Sequence, residues 1–338
     1  MGELVSVEEI RDAAARLAGV AVRPPLVPFP RLSPAVLVKP ESLQPVGSFK
    51  LRGAYAAISA LLARDGQRGV VAHSSGNHGY AVAYAAALLG VHAVVVVPET
   101  APKTKTDAIA SCGAELVAVP PTMAARQAAA DELAARHGYA LIPPFDDRRV
   151  IAGQGTIGLE IMADRPDADL VVVPVSGGGL IAGIAAAVRA ISPHTKVVGV
   201  EPEFAADARD SLRKGERVAW PAASVQRTIA DALRVERVGA LPFAHMQRDV
   251  AAIVTVTDEE MLAAVRRLAL EAHLVAEPGG AAAVAACLFR ADELPAARTR
   301  VAVLSGGNID PALLARVVGD GWRDGQGGAE PVRPATNL

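Results

Sequence analysis

"LVVVPVSGGGLIAGIAAAVRAI" occupies residues 170–191 and reads in three pieces. Leu170 to Val175 is a nearly continuous apolar run rich in valine, the pattern of a strand buried on both faces in a parallel sheet. Ser176 to Gly179 is a turn with three successive glycines, and the alanine-rich segment from Leu180 is helix-forming. A glycine turn at a helix N-terminus points several backbone N–H groups at one spot, with the positive end of the helix dipole behind them. That makes a cradle for an anion. There is no Walker-type lysine, so a single phosphate group fits better than a polyphosphate.

The same strand texture recurs along the chain: VVAHSS from 70, AVVVVP from 93, ELVAV from 115, KVVGVEP from 196, IVTVT from 253 and RVAVLSGG from 300. Helical segments alternate with these runs, among them PKTKTDAIASCG, MAARQAAADELAARHG and DEEMLAAVRRLALEAH. Strands alternating with helices indicate a doubly wound α/β architecture with mainly parallel sheets. PPFDDRR at 143–149 is polar and proline-rich, separates two groups of strands and reads as a crossing between domains. In open α/β sheets ligands sit at the carboxyl ends of strands, so chemistry is sought in the residues that follow each strand.

Composition narrows the function classes. The chain has 338 residues and a formal net charge of -2, long enough for a full core and without a basic footprint for nucleic acid. Its two cysteines, Cys112 and Cys287, are far apart and in no ligand spacing. The start, MGELVSVEEIRDAAARLAG, carries acidic residues and no continuous apolar stretch, so it does not read as a signal peptide. Ala81 to Pro98 is apolar, but Gly90 and His92 interrupt it. The alanine-rich part before them is expected to be helix and the valine run after them strand, which excludes a membrane span. A soluble, cytoplasmic protein is expected.

Three further loops carry polar groups. HSSGNHG, His73 to Gly79, sits between a strand and a helix. It offers hydroxyls, an amide and backbone donors suited to a carboxylate or a phenolic oxygen, beyond the one residue that N-capping by Ser75 or Asn77 needs. SGGNID, Ser305 to Asp310, follows a strand and places Ser305 either as a cap or beside a ring nitrogen. GQGTIG, Gly153 to Gly158, fits G-x-G-x-x-G but has no strand before it and no acidic residue about 20 positions on, so its glycines read as helix packing. Finally, VGSFKLRGAY, Val46 to Tyr55, holds Lys50 between Phe49 and Leu51. Either Lys50 and Arg52 begin a helix and face water, or Lys50 is a desolvated amine with a lowered pKa, able to form a Schiff base.

A buried lysine, a one-phosphate cradle and a carboxylate cradle together describe pyridoxal phosphate with an amino acid. GSFKLRGA, HSSGNHG, SGGGL, EPEFAADA, TIAD and LSGGNID, in this order, resemble the fold-type II pyridoxal-phosphate enzymes, of the tryptophan synthase β-like fold, and specifically the serine/threonine dehydratase and serine racemase family. The resemblance spans about residues 20–318. It implies a large domain of residues 1–68 and 146–318 and a small mobile domain of residues 69–145 that closes over substrate. Residues 319–338, rich in Gly, Pro and charge, are expected to form a flexible tail without a regulatory domain. Lys50, flanked by Phe49, would carry the cofactor. Asn77 would bond its phenolic oxygen, Gly177, Gly178, Gly179 and Leu180 its phosphate, and Ser305 would face its ring nitrogen.

Ser74, Ser75, Gly76, Asn77 and His78 would receive the substrate carboxylate. Glu201, the Ala205 carbonyl and Asp207 would hold Mg²⁺ or Ca²⁺. A homodimer is implied too. The activity implied is β-elimination from L-serine or L-threonine, Lys50 taking the α-proton, to give a 2-oxo acid and ammonia. Racemisation of serine, with Ser75 working from the opposite face, is the alternative, as is dehydration of another 3-hydroxy amino acid such as 3-hydroxyaspartate or phenylserine. Four departures from the family pattern bear on substrate choice: Ser176 for a fourth glycine, Ala232 after Asp231, Pro24-Pro25 for Thr-Pro, and Gly279 in AEPGGA.

Overall fold

The computed structural model describes residues 3–319, apart from 31, 33 and 67; the expected tail lies, Gly319 excepted, outside the described residues. Among these, ten strands form two sheets: β1 (Val27–Phe29), β2 (Ala35–Pro40), β3 (Gly69–His73), β4 (His92–Pro98), β5 (Glu115–Val119), β6 (Ala140–Leu141), β7 (Leu170–Pro174), β8 (Lys196–Pro202), β9 (Ala252–Val256) and β10 (Thr299–Leu304). The larger sheet has the order β1-β2-β10-β7-β8-β9 and the smaller β5-β4-β3-β6. Every pairing is parallel except β1 with β2.

All seven strands expected from valine-rich runs are present, and all but the edge strand β5 are largely buried. β7 is buried at all five positions, β3 at four of five. The architecture is α/β with mainly parallel sheets, as expected. β1, β2 and β6 were not anticipated. β1 is a three-residue edge strand containing Pro28, and β6 has two residues, so neither has a run long enough to show periodicity. At 81–98 the helix ends on Gly90, at φ 65°, and β4 begins at His92.

Eight helices matter for the site: α1 (Val7–Leu17), α2 (Lys50–Asp65), α3 (Asn77–Leu89), α4 (Lys103–Ala110), α5 (Met123–His137), α6 (Arg148–Asp164), α7 (Gly179–Ile191) and α8 (Asp207–Lys214). GQGTIG lies inside α6, where it is helix-packing surface. A Cβ on Gly153 would meet the Gly53 Cα at 2.7 Å, and one on Gly155 would meet the Gly183 carbonyl at 2.9 Å. α6 therefore packs backbone to backbone against both α2, which begins with Lys50, and α7, which begins at the glycine turn.

These contacts fix the spacing between the lysine helix and the phosphate-type loop, and they leave no room for a methyl group. Gly183→Ala would put its Cβ 2.5 Å from the Gly155 nitrogen. It is expected to cost about 1–3 kcal/mol by forcing the helices apart, read as a lowered melting temperature; an unchanged melting temperature would show that the pair can slide.

Candidate active site

Three loops converge because three strands end together. β7 and β10 are neighbours in the large sheet, so the turns that follow them, 175–178 and 305–308, emerge side by side. Phe49 N donates to the Ser305 carbonyl at 3.1 Å, and Ser48 bridges to Gly306, which docks the start of α2 onto the turn after β10. The turn after β3, 74–76, comes from the small sheet and closes the opposite side.

Between them lies a cavity of about 480 Å³. Its wall includes Phe49 and Lys50, the loop Ser74, Ser75, Gly76, Asn77 and His78, the turn Gly177, Gly178, Gly179 and Leu180, and Ser305. The candidate residues for cofactor and substrate, scattered over 257 positions of sequence from Phe49 to Ser305, thus meet at one place.

The lysine faces this cavity and is not a surface residue. Lys50 Nζ donates to the Pro144 carbonyl at 2.8 Å and lies 5.0 Å from the centre of the Phe49 ring. Burial lowers its pKa to about 8. Arg52, two residues on, is 1% exposed and also does not face water.

At the other loop, capping by Ser75 or Asn77 is not what is observed. The N-cap of α3 is Gly76, with no side-chain capping bond, and Gly76 N bonds Ser74 Oγ at 3.2 Å. The N–H groups at the start of α3 are therefore available to a ligand. Asn77 is locked at both ends of its amide: Nδ2 donates to Glu277 Oε1 at 2.7 Å, and Oδ1 accepts from Asn308 Nδ2 at 2.7 Å. His78 is committed elsewhere. Its Nε2 donates to the Ile142 carbonyl at 2.8 Å, and burial, reinforced by the Lys50 charge, drops its pKa to about 3. A neutral ring with its one N–H used can offer a carboxylate only its backbone.

The glycine turn has the form of an anion cradle. Gly178 is at φ 90° and caps α7. A Cβ at Gly177 would overlap the Phe145 ring, and one at Gly179 would stand 2.9 Å from the Phe145 backbone. Only bare backbone fits, and its N–H groups lie at the positive end of α7.

Residues 4–306 match the family model described as "Pyridoxal-phosphate dependent enzyme".

The chain belongs to that family.

It is 39% identical to the L-threonine ammonia-lyase of Thermotoga maritima, over 94% of this chain and 79% of that protein. It is also 39% identical to the L-threo-3-hydroxyaspartate ammonia-lyase of Saccharomyces cerevisiae, over 87% of this chain and 89% of the relative. The solved T.th. threonine deaminase superposes with a TM-score of 0.85 at 43% identity, covering 90% of this chain and 99% of that one.

A pyridoxal-phosphate enzyme needs an amine that can shed its proton near physiological pH and a backbone site for one phosphate. This cavity has both, in Lys50 and in a cradle that a Cβ would fill, so the residues fit the cofactor. Glu201, Ala205 and Asp207 do not line the cavity. Glu201, the last residue but one of β8, accepts from the backbone N–H of Ala208 at 3.0 Å and of Arg209 at 2.8 Å. Asp207 accepts from Val238 N at 2.7 Å. Among the described residues no cluster of three or more His, Cys, Asp or Glu is placed to hold a metal ion.

Several cavity residues were not anticipated. Glu277 is buried, and its burial, with the Asp231 charge beside it, raises its pKa to about 7. The AEPGGA stretch marks its place in the sequence, but its bond to Asn77, 200 residues away, does not show there. Lys105, Arg126, Asp231 and Arg234 also line the cavity. Lys105 and Asp231 pair at 2.5 Å, joining α4 to the turn at 231–233.

The lowered Lys50 pKa has a direct readout. Only the neutral amine reacts with an acylating reagent, so labelling of Lys50 in the cofactor-free protein is expected to be half-maximal near pH 8. Surface lysines keep gaining reactivity to about pH 10.4. A Lys50 midpoint equal to theirs, by mass spectrometry across pH, would remove the case for a desolvated amine.

Proposed function

We propose that this protein eliminates the β-hydroxyl of L-serine- or L-threonine-type amino acids and releases a 2-oxo acid and ammonia. The observation that carries the reading is the Lys50 amine, held in the cavity that also receives the N-termini of α3 and α7. Pyridoxal phosphate, when bound, supplies the electron sink for the bonds broken at the α-carbon. Lys50 is the attachment point for the cofactor and, once freed, the base that takes the α-proton at Nζ. Burial favours its neutral form, as a base requires. The backbone of Gly177, Gly178, Gly179 and Leu180 holds the phosphate, and Ser305 faces the ring nitrogen without the charge a carboxylate would bring.

Asn77 has one N–H left after Glu277 and offers it to the phenolic oxygen. Ser74, Ser75, Gly76 and the backbone of Asn77 and His78 take the α-carboxylate. Ser75 is also the candidate proton carrier on the face opposite Lys50. Residues 69–145 form the unit that closes over substrate, and Lys105–Asp231 is a tie that closure makes. Assembly as a homodimer, which the family resemblance implies, and residence in the cytoplasm complete the reading.

Glu201 and Asp207, with the Ala205 carbonyl, form the proposed site for Mg²⁺ or Ca²⁺. The support is electrostatic: two buried carboxylates stand together, and burial raises both pKa values, with Asp207 adding its charge against Glu201. A hard cation would offset that repulsion.

Lys50→Ala is expected to abolish release of 2-oxo acid from L-threonine and L-serine. Borohydride reduction of the loaded wild type followed by peptide mapping should place the label on Lys50, and a label on any other lysine would sink the assignment. Ser75→Ala should remove turnover of D-serine while leaving part of the turnover of L-serine; equal loss of both would make Ser75 a binding residue only. For the cation, Mg²⁺ or Ca²⁺ should raise the melting temperature of the wild type and EDTA should reverse it, with Asp207→Asn insensitive. A wild type indifferent to both cations and to EDTA would rule the site out.

A further inference from the structure

The proposed roles use three parts of the cavity wall and leave a fourth. Lys50, the 74–78 loop and the 177–180 turn take the amine, the α-carboxylate and the phosphate. The segment 231–235 also lines the cavity, and three of its residues, Ala232, Leu233 and Val235, are apolar. Leu233 is buried and packs into the core, whereas Ala232 is exposed. Ala232 is therefore the apolar surface that this part of the wall offers to a β-substituent.

A glycine outside the cavity sets where that surface stands. Gly279 lies in the first turn of the helix Pro278–Phe289. A Cβ on it would be 3.0 Å from Leu233 Cγ, 3.5 Å from Leu233 Cδ1 and 3.6 Å from Ala232 Cβ. Two carbons prefer about 3.5–4.0 Å, so at the first contact one side would have to give. The helix cannot. Glu277 N donates to the Gly306 carbonyl at 3.1 Å, Ser305 N donates to the Gly280 carbonyl at 3.2 Å, and a Cβ on Gly280 would overlap the Gly306 carbonyl. The helix start is thus seated backbone to backbone on the turn after β10. The base of the 231–235 segment is held as well. Thr228 Oγ1 donates to Asp258 at 2.6 Å, Ile229 N donates to Asp258 at 3.0 Å, and Arg234 Nε donates to the Thr228 carbonyl at 2.9 Å. What can shift is the tip, 231–233, which has the helix on one side and the cavity on the other.

We propose that Gly279 and Ala232 act as a pair that determines how large a β-substituent the cavity accepts. The bare Cα at 279 lets Leu233 settle on the helix and keeps the Ala232 methyl back from the substrate. Ala232 is the limiting surface, and Gly279 is a positioning residue that works through Leu233. The inference rests on the dehydratase reading and deepens it. The β-methyl of threonine reaches the Ala232 surface and the unsubstituted β-carbon of serine does not, so the pair tells the two substrates apart by shape alone.

The test uses the holoenzyme, its Gly279→Ala and Ala232→Gly variants, the double variant, and two readouts. The first is the ratio of kcat/KM for L-threonine to that for L-serine, which cancels a general loss of activity. Gly279→Ala is expected to lower this ratio roughly 10-fold, the scale of one methyl group in a fitted pocket, and adding Ala232→Gly should restore it. The second is calorimetric binding of L-alanine, L-2-aminobutyrate and L-norvaline, which carry no leaving group. Gly279→Ala should weaken the two longer amino acids relative to alanine, and Ala232→Gly should strengthen norvaline relative to alanine. An unchanged threonine-to-serine ratio in Gly279→Ala together with an unchanged order of affinities would overturn the pair. So would a lowered ratio that Ala232→Gly does not restore, because the effect would then not run through Ala232. Should Gly279→Ala fail to fold, the norvaline affinity of Ala232→Gly decides. If the wild type eliminates neither serine nor threonine, the dehydratase reading fails, and the affinity series still decides the pair by itself.

Discussion

The site stands on a buried set of charges centred on Arg52, two residues after Lys50 in α2. Arg52 meets Glu41 through Nε at 2.7 Å and Nη2 at 2.8 Å, and Glu160 through Nη1 at 2.6 Å and Nη2 at 3.0 Å. Lys39, fully buried at the end of β2, adds a second cation to Glu160 at 2.6 Å. The four residues come from β2, the turn after it, α2 and α6, so one network fixes the lysine helix against the large sheet and against the helix that also contacts α7. Such a set contributes little net stability over apolar packing, but removing one member leaves an uncompensated buried charge at a cost of about 3–5 kcal/mol. Its value here is geometric: the guanidinium fork admits one arrangement of the two carboxylates and so one placement of α2.

With the frame held, the cavity sorts its ionisable groups by environment. Desolvation brings Lys50 to about half neutral near pH 8, keeps His78 neutral throughout the physiological range, and pushes Glu277 into a range where it holds its proton for part of the time. The amine, the imidazole and the carboxyl all move toward the uncharged form for the same reason. The charge that remains is at the rim, on Lys105, Asp231, Arg126 and Arg234, where water still reaches.

What the sequence shows of this follows the range of each interaction. Strand LVVVPV, the glycine turn and the helix after it are local patterns, and the fold follows from their alternation. Six motifs in fixed order gave the family and the loops that meet. Contacts between distant segments were not legible. Arg52 looks like a surface arginine until Glu41 and Glu160 are brought to it by folding. His78 looks like a carboxylate donor until the Ile142 carbonyl occupies it. Arg126 sits in MAARQAAADELAARH, an alanine-rich stretch with a single buried residue, whose sequence gives no sign of a cavity. Short β1 and β6 lack the length for a periodic signal and exist because neighbouring strands offer them an edge.

The two sheets also divide the labour of holding. The glycine turn and Ser305 follow strands of the large sheet, and the start of α2 with Lys50 is docked onto the turn after β10, whereas the 74–78 loop and Arg126 follow strands of the small sheet. Under the proposed roles, the covalent and phosphate anchors of the cofactor lie on one body and most of the grip on substrate on the other. Separation of the bodies would then loosen a product without loosening the cofactor, so residence times at the two kinds of site are set independently. A change in the small sheet's loops can retune what is bound, and how long it stays, while the reactive amine keeps its surroundings.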